Sequence, residues 1–326
     1  MCTLNGQTAE KLPRSVYLCP ELLVFSSYND FLFMQFAGKK IALLSALFFW
    51  TLVAQAQLRY GIRAGLNFAT LRGPYEQNSA GEDLERFENV TGFHIGIGFA
   101  YPFTDEFGLR SEFMYSKKGL RYTYEGDMYR IFTHAGGSTL TLGEGRRLIN
   151  INQSYIDIPI TAYYRLKDFE LSAGVYAALQ VQAVGEGSAA YSGKTQPLQN
   201  PTGDLRFNLQ HNYRRDKPGE GKGEETISAQ VDARTLTLPM TLGAYYDYPE
   251  DRGRLYNSLD YGLTAGASYF LSRALYIGAR IQYGLADLTR DQADLQYYRP
   301  DADNAPVYRA DFDRNFNIQL SLGFSF

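Results

Sequence analysis

The sequence of 326 residues is poor in cysteine, tryptophan and histidine, and its basic residues are scattered. It contains two cysteines, one tryptophan and three histidines. Lys and Arg (32) nearly balance Asp and Glu (35), and they form no basic stripe that could follow a phosphate backbone. We therefore expect no nucleic-acid partner. The sequence also lacks an unbroken apolar run of the roughly twenty residues that a membrane helix needs.

The longest apolar run belongs to a segment typical of a secretory signal. Residues 34–56 contain the Lys39-Lys40 pair, an apolar stretch from 41 to 53, and Ala54-Gln55-Ala56. This order of charged, apolar and small residues predicts a signal peptide cleaved after Ala56; a single membrane anchor is the alternative. Residues 1–33 show no coherent pattern, which suggests a wrongly assigned start upstream of Met34. Both cysteines lie before the predicted cleavage site, so we expect an exported protein without thiols.

After residue 57 apolar and polar residues alternate, which is the period of a β-strand with two different faces. The apolar face of the predicted strands carries no charged residue, although a Lys or Arg at mid-depth in lipid costs roughly 2 to 4 kcal/mol. Tyr (26), Phe (21) and Gly (31) are abundant, as strands and turns favour. The eight predicted strands cover 58–68, 92–101, 107–116, 155–166, 169–181, 258–271, 275–285 and 315–326.

The connections between these strands alternate between short and long, as in outer-membrane barrels with tight periplasmic turns and long external loops. We therefore predict an all-β protein, an eight-stranded antiparallel up-and-down transmembrane β-barrel with long extracellular loops that occupies residues 57–326. Residues 182–257 form a long external insert. Ten strands, using 204–213 and 225–248, are one alternative. A secreted soluble barrel or sandwich is the other.

The polar faces of the strands place charged residues of both signs inside the predicted barrel. Buried charges persist when they are paired and hydrogen-bonded, and an eight-stranded barrel has room for side chains but scarcely for a water channel. We therefore predict a lumen charge network that plugs the barrel and leaves no general diffusion pore. The predicted network consists of Arg59, Arg63, Arg110, Glu112, Asp157, Arg165, Glu170, Asp260 and Arg280.

The chain ends on the alternating segment NFNIQLSLGFSF, which includes Phe316, Phe324 and Phe326. We predict that it is the closing strand, that it pairs with the first strand, and that its aromatic residues face lipid. A closed barrel leaves no strand edge whose backbone groups would be exposed to hydrocarbon.

Several of these segments together resemble the PorT-like outer-membrane β-barrel family of Gram-negative bacteria: YGIRAGLNFATL, SYIDIPITAYYRL, LDYGLTAGASY, RIQYGLADL and LSLGFSF. The resemblance implies an eight-stranded barrel in the outer membrane, surrounded by lipid and lipopolysaccharide. It also implies that the terminal aromatic strand is recognised by the outer-membrane barrel assembly machinery, and it links a few relatives to protein secretion. These motifs are strand patterns and contain no catalytic signature.

Few residues suggest chemistry, so we expect no catalytic, cofactor-binding or metal-binding residue. A lumen serine could pair with His94, but a lumen histidine is more often part of a hydrogen-bond network. The acidic segment 300–315 has the alternating oxygen ligands of a calcium loop without its glycine and closing glutamate, and a solvated loop is the simpler interpretation. The acidic and amide residues of that segment are Asp301, Asp303, Asp311, Asp313 and Asn315.

The predicted function is that of a non-enzymatic structural or interaction protein that binds a protein partner at its external loops. Tyrosines in these loops could supply rigid amphipathic contacts; the other interpretation places them in the aromatic girdle at the membrane interface. These tyrosines are Tyr122, Tyr124, Tyr129, Tyr297 and Tyr298. A narrow porin-like barrel for small solutes is the alternative function.

Overall fold

The computed structural model describes residues 58–326; the predicted signal peptide and the residues before it lie outside this range. Within it the chain forms strands and one short 3-10 helix, Asp291–Ala293. In this part of the chain no helix is long and apolar enough to cross a membrane. The strands are β1 (Arg59–Arg72), β2 (Glu85–Pro102), β3 (Phe107–His134), β4 (Gly137–Leu166), β5 (Phe169–Thr195), β6 (Pro201–Asn212), β7 (Gly221–Val231), β8 (Arg234–Leu242), β9 (Leu259–Phe270), β10 (Leu275–Gly284) and β11 (Arg314–Ser325).

Eight of these strands close into a ring in the order β1, β2, β3, β4, β5, β9, β10 and β11, and β11 pairs back with β1. Every pair of neighbours in the ring is antiparallel. The predicted eight-stranded barrel is therefore confirmed. The ten-stranded alternative is wrong because β6, β7 and β8 do not enter the ring: β6 pairs with the extracellular half of β5, and β8 and β7 follow it in the sheet.

The ring closes where the C-terminal segment pairs with the first strand, as predicted. The register runs from Gly61 opposite Ser325 to Arg72 opposite Arg314. The backbones approach closely at Gly65, where a Cβ atom would lie 1.9 Å from the carbonyl oxygen of Leu320. Only glycine allows this approach, so a lumen-facing glycine is part of the closure.

The lower half of the barrel exposes a continuous apolar band. Ile62, Ile95 and Leu322 are 52%, 56% and 54% exposed, whereas their sequence neighbours face inward. An exposed apolar surface of this extent is unfavourable in water, whereas contact with lipid requires it. The soluble alternative is therefore excluded by the direction in which the apolar faces point.

The polarity of the two faces reverses where the strands leave this band. In β3 the inward side chains up to Lys118 are mostly polar, with Met114 as an exception, and those from Leu120 onward are mostly apolar, with Arg130 as an exception; both sets have the same period-two phase. The outward side chains change in the opposite direction, from Phe113 to Arg121. Strands surrounded by water bury an apolar core, so this reversal marks the level at which the barrel emerges from lipid.

The extracellular part is built mainly of strands. Residues 117–154, predicted as a loop, instead form a hairpin in which β3 and β4 pair continuously up to His134 opposite Gly137. The insert 182–257 comprises the end of β5, strands β6 to β8 and the connection to β9. The predicted long connections are thus built largely of strands, because the alternation continues beyond the membrane surface, where the apolar and polar faces exchange sides.

Three irregular connections meet over the extracellular mouth of the barrel: 73–84, 243–258 and 285–313. The backbone N–H of Tyr129 in β3 donates to the carbonyl oxygen of Tyr297, and the Tyr248 hydroxyl donates to the carbonyl oxygen of Ala293. Beneath them lies a buried cluster that includes Leu120, Tyr213 and Leu288. The mouth is thus covered by a packed layer.

Candidate functional site

A buried ion-pair cluster fills the periplasmic half of the lumen. Glu112 accepts two hydrogen bonds of 2.7 Å from the guanidinium of Arg280 and lies 3.1 Å from Arg63. The guanidinium of Arg110 binds both carboxylate oxygens of Glu170. Glu112, Arg63, Arg280 and Glu170 are each less than 9% exposed. Since the donors and acceptors satisfy each other, the buried charges of this cluster are compensated where its side chains occupy the lumen.

A second pair lies higher in the lumen and includes a lysine that the sequence analysis assigned to a loop. The ammonium group of Lys118 is 3.1 Å from the carboxylate of Asp157, and it lies over the rings of Tyr155 and Tyr176. Lys118 continues the inward phase of Glu112, Met114 and Ser116, so extending the alternation by one period would have identified it. Asp260 accepts from the Tyr176 hydroxyl and the Asn315 amide instead of a cation.

Two arginines of the predicted network lie at its periplasmic rim. Arg59 is exposed, and Arg165 is half-buried with its guanidinium 3.3 Å from the centre of the Phe270 ring. When these two rim arginines are left out, the lumen contains four positive and four negative side chains, so its charges balance. The positive residues are Arg63, Arg110, Lys118 and Arg280, and the negative residues are Glu112, Asp157, Glu170 and Asp260.

His94 lies between the two ion-pair levels in a hydrogen-bonded chain. Its Nε2 is 2.9 Å from the Ser321 hydroxyl, and its Nδ1 is 2.8 Å from the side-chain oxygen of Asn67. This order resembles a serine, base and orienting group. His94 and Asn67 are 1% and 0% exposed, however, and the Asn67 amide nitrogen also binds Ser116. A substrate cannot reach groups buried in this way, so Ser321, His94 and Asn67 are better described as a structural hydrogen-bond network.

A cavity lies above the lumen, between the barrel wall and the connections 243–258 and 285–313. Aromatic and aliphatic side chains make up most of its lining, including Tyr122, Tyr213 and Tyr256. Its polar lining includes His211, whose Nδ1 is 3.0 Å from the Tyr213 hydroxyl. Burial lowers the pKa of His211 to about 3, and the positive charge of Arg147 acts in the same direction. The imidazole is therefore neutral at physiological pH.

One wall of this region is rich in carboxylates. Burial raises the pKa of Glu76 to about 7, although the backbone N–H groups of Tyr297 and Tyr298 donate to it. Burial likewise raises the pKa of Asp294 to about 8 and that of Asp313 to about 7. These groups belong to the connections that cover the mouth, and burial is the main cause of their raised pKa values.

The tyrosines proposed as external contacts lie instead in or against the core of the extracellular part. Tyr124, Tyr129 and Tyr298 are 0%, 7% and 9% exposed, and Tyr122 and Tyr297 are partly buried against the same cluster. Both sequence interpretations, surface contacts and an interfacial girdle, were therefore wrong. The rings of Tyr122 and Tyr124 point inward because the apolar side of the strands is the inner side above the membrane, whereas Tyr297 and Tyr298 belong to a connection that covers the mouth.

The closed ring, the exposed apolar band and the polar, filled lumen define a transmembrane β-barrel protein of the outer-membrane type. The profile of the family described as outer membrane protein beta-barrel domain matches residues 53–290. The chain belongs to this family, and its location is the outer membrane. No curated protein matches the sequence.

Several solved outer-membrane proteins are similar to this chain at low sequence identity. The attachment invasion locus protein Ail of Yersinia pestis, solved with the heparin analogue sucrose octasulfate, is 13% identical over 83% of this chain and 99% of its own, with a TM-score of 0.31. The outer membrane protein OprG of Pseudomonas aeruginosa is 9% identical over 82% and 95%, with a TM-score of 0.32. Neisserial surface protein A is 12% identical over 82% and 97%, with a TM-score of 0.27. Similarities of this size carry no information about function.

Proposed function

We propose that the protein is a non-enzymatic interaction protein of the outer membrane, in which the barrel is a plugged anchor and the extracellular part binds a protein partner. The observation that carries the proposal is the contrast between the two halves. The lumen is closed by Glu112 and its two arginines, whereas β3, β4 and β5 continue beyond the lipid band and support β6 to β8. A rigid platform of this kind can hold a binding surface above the membrane.

Exposed apolar residues at the tip of this platform support the proposal that it binds a protein partner. Leu198, in the turn between β5 and β6, is 63% exposed, and Leu142 of β4 is 41% exposed. The two lie near each other, because Leu142 is opposite Lys194 of β5 and the backbone N–H of Gln196 donates to the carbonyl oxygen of Leu140. Both are outside the lipid band, so their exposure is not explained by membrane contact.

The resemblance to PorT-like proteins adds protein secretion across the outer membrane as the process in which this partner acts. The same resemblance supports recognition of the terminal strand by the barrel assembly machinery. It also supports lipopolysaccharide as part of the lipid around the band.

Site-specific crosslinking in cells tests the proposal. Residues 58–326 contain no cysteine, so Leu198→Cys and Leu142→Cys each introduce a single reactive group into this part of the chain. We expect both variants to give a discrete crosslinked species. The control Ser272→Cys lies in the exposed turn between β9 and β10, at the opposite end of the barrel, and should not give that species. Equal crosslinking from the control, or none from either leucine position, would contradict the proposal.

A narrow solute-transport barrel is the second candidate, and the cavity above the lumen is the observation that favours it. Such a cavity could be the outer vestibule of a path. Planar-bilayer recordings separate the two functions: the plugged anchor predicts no conductance steps from the folded protein, and a transport barrel predicts defined steps. A protein-free bilayer and a known porin are the controls.

A further inference from the structure

Three aspartates converge where the β10–β11 connection passes the extracellular mouth. Asp294, Asp311 and Asp313 each offer a carboxylate oxygen, and these oxygens lie within 4.8 Å of one another. Asp294 follows the short helix of this connection, and the other two immediately precede β11. The segment returns on itself through a bridge between Leu295 and Tyr308, which brings the two ends of the acidic set together.

The negative charge around this cluster exceeds the positive charge in contact with it. Arg309 forms salt bridges with Glu85, Asp294 and Asp311. Among residues 58–326 it is the only cation within salt-bridge distance of these three groups, and Asp313 and Glu76 have no such cation. Of these five carboxylates, three therefore share one guanidinium and two have no cation at salt-bridge distance, and all five are mostly buried. Buried charge of one sign is costly unless a counterion compensates for it.

Asp313 provides a separate reason to expect a ligand. Its side chain is 1% exposed, and its Oδ2 accepts a hydrogen bond of 2.9 Å from the Thr289 hydroxyl. Its Oδ1 is buried and has no hydrogen-bond partner in the part of the chain that the structure describes. A buried acceptor without a partner is destabilising, and for a carboxylate a cation is the most effective partner.

We infer that Asp294, Asp311 and Asp313 bind a calcium ion at the extracellular mouth of the barrel. The donor set consists of carboxylate oxygens without histidine or cysteine, which suits a hard cation. Calcium accepts irregular oxygen coordination, whereas magnesium requires a near-ideal octahedron. Asp294 and Asp313 also line the cavity below the covering connections. The site does not depend on which partner the platform binds.

The structure selects a different set of ligands from the one that the sequence suggested. Asp301 and Asp303 belong to the calcium-like pattern of residues 300–315, but both are exposed. Asp301 instead accepts from backbone N–H groups of its own turn, those of Asp303 and Ala305. Asp294, which lies outside that pattern, takes their place because the connection folds back.

Thermal unfolding of the full-length protein in detergent micelles free of lipopolysaccharide tests the inference. The protein is first treated with EDTA, and the unfolding temperature is then measured as calcium chloride is added. Extracellular calcium sites have dissociation constants of roughly 0.1 to 1 mM, so we expect a saturable rise in the unfolding temperature over that range. Terbium luminescence excited through tyrosine gives a second measurement of occupancy.

Asparagine variants locate the site. Asp311→Asn and Asp313→Asn should weaken calcium binding at least tenfold, and the matched control Asp303→Asn, an exposed residue of the same connection, should bind like the wild type. Asp311 keeps the experiment informative if Asp313→Asn does not fold, since Asp311 is less buried. A wild type without a calcium response, unchanged binding in Asp311→Asn, or an equal response to magnesium would overturn the inference.

Discussion

Replacing Glu112 by glutamine should strongly destabilise the barrel. The carboxylate of Glu112 lies 2.7 Å from Arg280 and 3.1 Å from Arg63, and all three side chains are buried. With charge centres about 4 Å apart and an effective dielectric constant near 20, each pair contributes about 4 kcal/mol of Coulomb energy. The variant loses both pairs but no longer has to desolvate Glu112. The remaining loss is about 3 to 5 kcal/mol, the range observed when one partner of a buried ion pair is removed.

Urea unfolding of the protein in lipid vesicles measures this loss, with the folded fraction read from heat-modifiable mobility on gels. The matched control is Glu125→Gln, which removes an ion pair with Arg146 at 3.7 Å between side chains that are 69% and 63% exposed. Exposed pairs contribute about 0 to 1 kcal/mol, so the control should be nearly neutral. If Glu112→Gln cost no more than Glu125→Gln, the lumen cluster would not stabilise the barrel.

Three further variants test separate parts of the structure. Deleting Phe326, whose backbone N–H donates to Tyr60 and whose ring contacts Phe324, should reduce the amount of heat-modifiable barrel in the outer membrane; normal amounts would argue against an assembly role. Gly65→Ala should destabilise the vesicle-embedded barrel by about 1 to 3 kcal/mol in urea, since its Cβ would meet a backbone oxygen at 1.9 Å, whereas Gly98→Ala, with its nearest contact at 3.5 Å, should be neutral. The pKa of His211 falls from 6.5 to about 3 on folding, so its neutral form contributes stability that is complete above about pH 6.5 and is lost as the pH falls toward 3. In a His211→Gln variant the urea midpoint should therefore change less with pH over that range. A pH dependence equal to that of the wild type would contradict the lowered pKa of His211.

The membrane-embedded part could be predicted from the sequence because lipid imposes one rule on every strand. Side chains on the outer face must be apolar, and a period of two then fixes which residues face the lumen. The rule places Ile62 and Leu322 outside and Arg63 and Gln319 inside, as the structure shows. Pro159 interrupts the ladder between β3 and β4, but the register on either side of it is unchanged.

The extracellular part could not be predicted in this way because the same alternation has the opposite meaning in water. Leu120 and Tyr124 continue the phase of Glu112, but they are buried as core residues and not as lumen groups. If apolar residues must face outward, β3 is predicted to end at Ser116. This prediction omits Lys118 and assigns the tyrosines beyond it to external loops. The pair Lys117-Lys118, where the polarity of the faces changes, was the available signal.

The pairing of the lumen charges depends on geometry that alternation does not contain. A period of two shows that Glu112 points inward, but its partners Arg63 and Arg280 lie 49 and 168 residues away in the chain. Which charges share a level is set by the stagger of strands around the closed ring, as the β1–β11 register illustrates. The same closure that places Arg280 beside Glu112 brings β11 to the mouth, where Asp313 meets Asp294. A shift of β11 by two residues would therefore displace Arg280 from Glu112, whereas the contact between Asp294 and Asp313 also depends on the Leu295–Tyr308 bridge within their own connection.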